Sequence, residues 1–334
     1  MPADNPPPAA RVRAGGLVLS LCAAPLTVPI LRAHAEGPLR FPELHEKIGG
    51  AAQTTLRGQI GNLRGIGALV KREPGGMPYT VENELTDTGR AVLLAADMLE
   101  TWLARAPQGP ISLGSEPAKG AIRALIGGWG STMLRALAAR PLSLTELDGV
   151  IGHLSYPAIE RRLAAMRAAR QVEQLAEQGA GRPYVVTPWV RQAIAPLAVA
   201  GRSECKYLTQ EAETVTRIDI EAAFLLAVPL VTLPHALEGS CLLAVDTSPS
   251  ELEQGDWRGA QHRLAGVRVE VGGGQVRSYV SRLETDPGTW ALGTVGAWLD
   301  ALIDGDREGL RIGGEDPGLV CDLIDGLHAT LYME

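Results

Sequence analysis

Pro38-Leu39-Arg40-Phe41-Pro42-Glu43-Leu44, preceded by Ile30-Leu31-Arg32-Ala33, returns 103 residues later as Met133-Leu134-Arg135-Ala136 followed by Pro141-Leu142, Leu144 and Glu146-Leu147. The same offset pairs Leu56 with Ile159, Leu63 with Met166 and Arg64 with Arg167. Self-similarity at one spacing marks a duplicated structural unit, so the front of the chain reads as two copies of one fold. Further on, Pro78-Tyr79-Thr80-Val81 resembles Pro183-Tyr184-Val185-Val186 at an offset of 105, a change that a gap in a loop would explain.

Each copy has helical periodicity followed by a short extended stretch. Pro38 and Pro141 stop a first helix by fixing φ and removing an amide donor. A second short helix begins near Phe41 or Leu144. After glycine-bearing turns, a third is expected over 54–66 and again over 157–169, with Leu56, Ile60 and Leu63, or Ile159, Leu163 and Met166, on its inner face. Hairpins tipped by Pro74-Gly75-Gly76 and Gly179-Ala180-Gly181 complete each copy. Three helices and a hairpin make a winged helix-turn-helix. Gly58, Gly61, Gly65 and Gly67 crowd the third helix of the first copy, and each interior glycine costs about 1 kcal/mol relative to alanine.

The back of the chain has another rhythm. Strands are expected over 241–246, 264–271 and 275–283, the last two joined at Gly272-Gly273-Gly274, with Val267, Val269 and Val271 alternating with charged residues. Helices are expected over 292–302 and 318–331. The boundaries that follow are a disordered tail over 1–13, a first winged helix over 14–106, a linker over 107–119, a second winged helix over 120–204, a linker over 205–218 and a final α+β domain over 219–334.

Charge divides the same way. The 334 residues carry a net charge of -7. Residues 1–110 hold 11 Lys and Arg against 10 Asp and Glu, residues 111–204 hold 11 against 7, and residues 205–334 hold 9 against 21. A mildly basic front and an acidic back suit nucleic-acid contact by one part and a different task for the other. Arginine outnumbers lysine 27 to 4, which hints at a GC-rich bacterial source.

Cys22, Cys205, Cys241 and Cys321 stand far apart without a CxxC or a nearby histidine, so reduced thiols are expected and no metal or cofactor is called for. The apolar run over 223–243 is broken by Pro229, Pro234, His235 and Glu238, and the proline-rich start lacks signal-peptide order, so the cytoplasm is expected and no membrane. The six histidines form no HExxH, and no Gly-x-Ser-x-Gly, phosphate loop or dinucleotide fingerprint occurs, so the chain is not expected to be an enzyme. Asp300, Asp304, Asp306 and Glu308 lack calcium-loop spacing and read as a solvated helix end.

Several motifs carry a family likeness over about 17–104. They are Glu36-Gly37-Pro38-Leu39-Arg40-Phe41-Pro42-Glu43-Leu44, Leu69-Val70-Lys71-Arg72, Tyr79, Leu85-Thr86-Asp87-Thr88-Gly89-Arg90 and Trp102. With them this region resembles the HxlR branch of the MarR-like winged-helix regulators, departing where Gly61 and Gly65 stand. Trp129, Leu144-Thr145-Glu146-Leu147 and Leu154-Ser155-Tyr156-Pro157 look like a diverged second copy. The final segment resembles sterol-carrier-protein-like domains through Leu264-Ala265-Gly266-Val267, Thr289-Trp290-Ala291-Leu292-Gly293 and Ala297-Trp298-Leu299-Asp300-Ala301-Leu302. The fold class so implied is α+β, two tandem winged helix-turn-helix units followed by a small α/β sandwich-like ligand-binding domain.

The likeness implies a transcriptional regulator whose partner is double-stranded DNA. In a winged helix the third helix enters the major groove while the hairpin touches the backbone. On the first copy the expected contacts are Gln53, Thr54, Thr55, Arg57 and Gln59, with Lys71 and Arg72 entering the wing, Gln59 suiting adenine and Arg57 guanine. On the second they are Ser155, Tyr156, Arg161, Arg162 and Arg182. A small hydrophobic ligand is expected in the final domain, near Trp257, Trp290 and Trp298. Two copies in one chain would make a monomer with pseudo-two-fold repeats, or the chain forms a homodimer. Two alternatives stay open: one unit reads DNA while the other only packs, or the protein sequesters a hydrophobic metabolite on a winged-helix scaffold.

Overall fold

A computed structural model of the chain describes residues 15–73, 81–127, 130–152, 154–176, 182–208, 215–247, 264–280 and 288–332. The tail expected over 1–13, both hairpin tips, Tyr79, Trp129 and Trp257 lie outside the described residues.

The first unit runs α1 (Gly16–Ala23), α2 (Thr27–Ala35), β1 (Leu39–Arg40), α3 (Phe41–Ile48), α4 (Gln53–Gly65), β2 (Leu69–Arg72), β3 (Glu82–Leu85) and α5 (Asp87–Ala104). Pro42 sits in the first turn of α3, where a missing amide costs nothing, and the Glu43 carboxylate accepts from the Arg40 amide at 2.9 Å. The apolar residues of α4 recur at helical spacing, which puts Leu56, Ile60 and Leu63 on one buried face. The strands order as β1-β3-β2, all antiparallel. Thr86 starts α5 by accepting from the Gly89 amide at 3.1 Å and donates to the Gly67 carbonyl at 2.6 Å.

The second unit repeats the order with α6 (Glu116–Ile126), α7 (Gly130–Ala139), α8 (Leu144–Ile151), α9 (Tyr156–Ala168), β4 (Val172–Gln174), β5 (Tyr184–Val186), α10 (Pro188–Gln192) and α11 (Ile194–Tyr207). Leu142 bridges Tyr184 as Leu39 pairs with Asn83, and Val172 pairs with Val186 as Leu69 pairs with Leu85. Thr187 bonds the Arg170 carbonyl as Thr86 bonds that of Gly67. The offset past the hairpin is therefore 101, not the 105 suggested by the Pro-Tyr likeness. Backbone pairing sets a hairpin's register, and two Pro-Tyr pairs can fall at different points of it.

Equivalent helices of the two units pack on each other, α1 on α6 and α5 on α11. Between the units the Trp102 and Trp189 rings stack at 4.3 Å, and each indole N–H donates at 2.8 Å to the other's backbone carbonyl. Glu204 of α11, buried, accepts from the Gly15 and Val18 amides at 2.7 and 2.9 Å and so caps α1. Among the described residues no single helix is long and apolar enough to cross a membrane, since α1 and α2 meet at 90°.

The third segment opens with α12 (Arg217–Ala227), then forms one sheet from β6 (Gly239–Asp246), β7 (Leu264–Gly272), β8 (Gln275–Val280), β9 (Thr289–Thr294) and β10 (Arg311–Gly313). Its order is β10-β9-β6-β7-β8, antiparallel except for β6 beside β9. Helices α13 (Val295–Asp304) and α14 (Pro317–Leu331) complete it. Alternation splits the sheet into two faces. Cys241, Leu243, Val245, Val267 and Val269 join the main core with the helices, while Leu242, Ala244, Leu264 and Leu292 form a separate cluster.

Three expected boundaries move, the first being the linker expected over 107–119, which ends where α6 begins at Glu116. The helix expected over 292–302 starts at Val295, because Leu292 and Gly293 belong to β9. The linker expected over 205–218 is shorter, since α11 continues through Gly201 to Tyr207 and α12 begins at Arg217.

Candidate functional site

With Leu56, Ile60 and Leu63 buried, helical geometry turns Gln53, Thr54, Thr55 and Arg57 of α4 outward, and all four are exposed. The Arg57 guanidinium lies 4.0 Å above the Phe41 ring, which holds it against α3. Lys71 and Arg72 lie exposed on β2, bonded to Glu73 and Glu84 respectively. Arg64, exposed two turns beyond Arg57, shares this side and is a further candidate that the sequence reading does not include. The spacing of seven residues from Arg57 is the signal that would have found it.

Gln59 is a correction. Its amide nitrogen donates to the Thr27 hydroxyl at 2.8 Å, half-buried between α4 and the start of α2, so it does not stand on the outward face. In the second unit Ser155, Tyr156 and Arg161 are exposed at α9, and Arg182 is exposed just before β5. Arg162, the counterpart of Gln59, is corrected for the same reason. Its guanidinium donates to the carbonyls of Ala124 and Gly127, the latter at 3.0 Å, at the C-terminal end of α6. Burial pulls its pKa below the ordinary arginine value. Gly127 and Gly130 leave the space it needs, since a Cβ at either would come within 2.9 or 3.0 Å of the guanidinium nitrogens. One repeat position thus ties the third helix to its scaffold in both units.

The expected ligand tryptophans part company. Trp298 is buried, donates from its indole nitrogen to the Ala244 carbonyl at 2.7 Å and meets the Phe224 ring edge-on at 5.1 Å. It lines an apolar cleft of about 110 Å³. Trp290 is a correction, because alternation along β9 places it on the opposite face of the sheet with Leu242, Ala244, Leu264 and Leu292. The cleft lies at the junction of the second unit and the third segment. Ile194, Leu197, Ala198 and Gly201 of α11 form one wall, Ala223, Phe224 and Ala227 of α12 another, and Trp298, Leu299 and Leu302 of α13 a third.

Polar groups fasten that junction. Glu221 of α12, almost wholly buried, is bonded by Arg135 of α7 and, at 2.7 Å, by Arg217. Arg191 of α10 donates to the Leu225 carbonyl at 2.6 Å, and the Ser131 hydroxyl bonds Asp219. Arg202 of α11 bonds Asp304 and meets Asp300 at 2.8 Å, so two acids of the expected helix end hold α13 to α11. Among the described residues no three His, Cys, Asp or Glu side chains gather as a metal site.

Residues 26–108 match the family described as HxlR-like helix-turn-helix, a span that runs from α2 to just beyond α5. No curated protein matches the chain.

Proposed function

We propose that the protein is a DNA-binding transcriptional regulator of tandem winged-helix build, in which the first unit reads base edges and the sterol-carrier-like third segment receives a small hydrophobic ligand. The observation that carries the reading is the outward face of α4. Gln53, Thr54, Thr55 and Arg57 stand exposed on a helix whose opposite face is locked into the core of a unit matched to the HxlR-like family. A helix so placed fits the major groove, about 12 Å wide, with Gln53 suited to adenine and Arg57 to guanine. Lys71, Arg72 and Arg64 supply phosphate contacts.

The second unit contributes less to reading. Its α9 carries Glu160 where α4 carries Arg57, and Arg162 is committed to α6. The pairing of α5 with α11 and of α1 with α6 supports a monomer that supplies its own two-fold partner, with unlike half-sites as the consequence. The near balance of charge over 1–110, together with the cleft, favours one competitor, a protein that only sequesters a hydrophobic metabolite. Selection from random duplexes followed by gel shift at rising salt separates the two. A regulator retains one sequence selectively, and its affinity falls log-linearly with salt. Absence of any selected sequence ends the regulator reading.

A further inference from the structure

The cleft is lined by small residues on two helices, Ala198 and Gly201 on α11 and Ala223 and Ala227 on α12, which leave space beside the larger side chains, and by Trp298 of α13. A void lined by apolar groups forfeits dispersion contacts and does not hold water well, so an apolar body that enters recovers both. For scale, a dry apolar cavity of about 150 Å³ accepts a benzene ring. The Asp219 carboxylate, which bonds Thr216 and Ser131, is the charged group among the lining residues. It disfavours an anionic guest.

The wall on α11 has a second side. A Cβ built on Gly15 would come within 3.0 Å of the Leu197 carbonyl and 3.1 Å of the Gly201 amide, so the segment that begins α1 rests directly on two of the residues that line the cleft. Helix α11 also packs along α5, the closing helix of the first unit. A guest that shifts α11 by a fraction of an ångström therefore moves the seat of the unit that carries α4.

On the reading that the first unit binds DNA, we infer that this junction cleft is a regulatory site for an uncharged, ring-sized apolar group, and that α11 transmits its occupancy to α4. Gly201 gives the test. A Cβ there meets nothing within 4 Å, and alanine or leucine suits a helix interior better than glycine, so Gly201→Ala adds its methyl without a clash and Gly201→Leu extends further into the cleft. Toluene raises the Tm of the full chain by about 2 °C, and benzoate, the same ring with a charge, does not. In Gly201→Leu the toluene shift disappears, and in Gly201→Ala, which serves if the leucine variant does not fold, it shrinks. In gel shift with the selected duplex, toluene changes the DNA affinity of the unaltered chain at least about threefold and leaves that of Gly201→Leu unchanged. A toluene shift that persists in both variants, an absent shift in the unaltered chain, or an equal shift with benzoate overturns the site. A Tm shift with constant DNA affinity overturns the transmission. Failure to bind any duplex would strike the regulator reading alone, because the Tm comparison needs no DNA.

Discussion

In the first unit Arg32 of α2 reaches Asp97 and Glu100 of α5, its own closing helix, at 2.7 and 2.6 Å in an exposed cluster. The residue at the same repeat position in the second unit, Arg135 of α7, leaves its unit and pairs with the buried Glu221 of α12. The two units share backbone order and hairpin register, yet Arg32, Arg40 and Arg90 of the first pair with acids of their own unit. In the second, Arg191 and Arg202 reach out of the unit, to α12 and α13. What becomes of each equivalent side chain depends on what packs against it. Hence the assignment of reading to the first unit and of relay to the second.

The sharpest way to break that assignment is to strip one outward face at a time. Gln53→Ala with Arg57→Ala is expected to weaken binding to the selected duplex by at least about thirtyfold, since each good base contact is worth about 1–3 kcal/mol. Tyr156→Ala with Arg161→Ala is expected to change it by less than about threefold. Fluorescence anisotropy on both double variants decides, and a larger loss from the second pair reverses the roles of the units.

The two arginines give the next contrast. Arg135→Ala removes one of two charged partners from a buried carboxylate and is expected to cost about 2 kcal/mol in urea unfolding. Arg32→Ala, in an exposed cluster, is expected to cost less than about 1 kcal/mol. Equal costs would mean that the junction is no more tightly fastened than the surface.

A buried histidine supplies a third. His34 of α2 hydrogen-bonds the Ile30 carbonyl at 2.8 Å and is buried where the second unit has Leu137. Burial holds its pKa below the ordinary 6.5, and Lys47 nearby adds to the shift. The folded state therefore keeps the ring neutral while the unfolded chain takes up a proton. Stability from this group is full above about pH 6.5 and falls as pH drops from there towards the lowered folded-state value, with a slope of at most about 1.4 kcal/mol per pH unit. In His34→Leu that limb of the stability curve flattens. A curve unchanged below pH 6 would show that the acid sensitivity comes from elsewhere.

The smallest effect concerns one turn. Gly67 has φ +75°, and its counterpart Arg170 has φ +59°, among the described residues the one non-glycine in the left-handed region. Arg170→Gly is expected to raise stability by about 0.5 kcal/mol, and Gly67→Ala to lower it by about 1 kcal/mol. Thermal unfolding reads both, and a loss in Arg170→Gly would mean that the arginine side chain repays the strain.

The α+β class and the helix and strand identities of most elements could be read from residue order, because apolar spacing, prolines and caps act over a few positions. The α4 residues Leu56, Ile60 and Leu63 are buried as their spacing predicts, and the third helices begin at Gln53 and Tyr156, one residue before the spans predicted. Which outward residues remain outward was decided by tertiary structure. Gln59 and Arg162 look like solvent-facing polar groups in a helical wheel, but partners 32 and 35 residues away turn them into tethers. Trp290 and Trp298 are eight residues apart and look alike in sequence, yet they lie on opposite faces of one sheet, and the cleft exists because α11 from one unit meets α12 and α13 from the next segment. Local sequence fixes periodicity and capping, whereas burial and the identity of a side chain's partner depend on how distant elements come together in space.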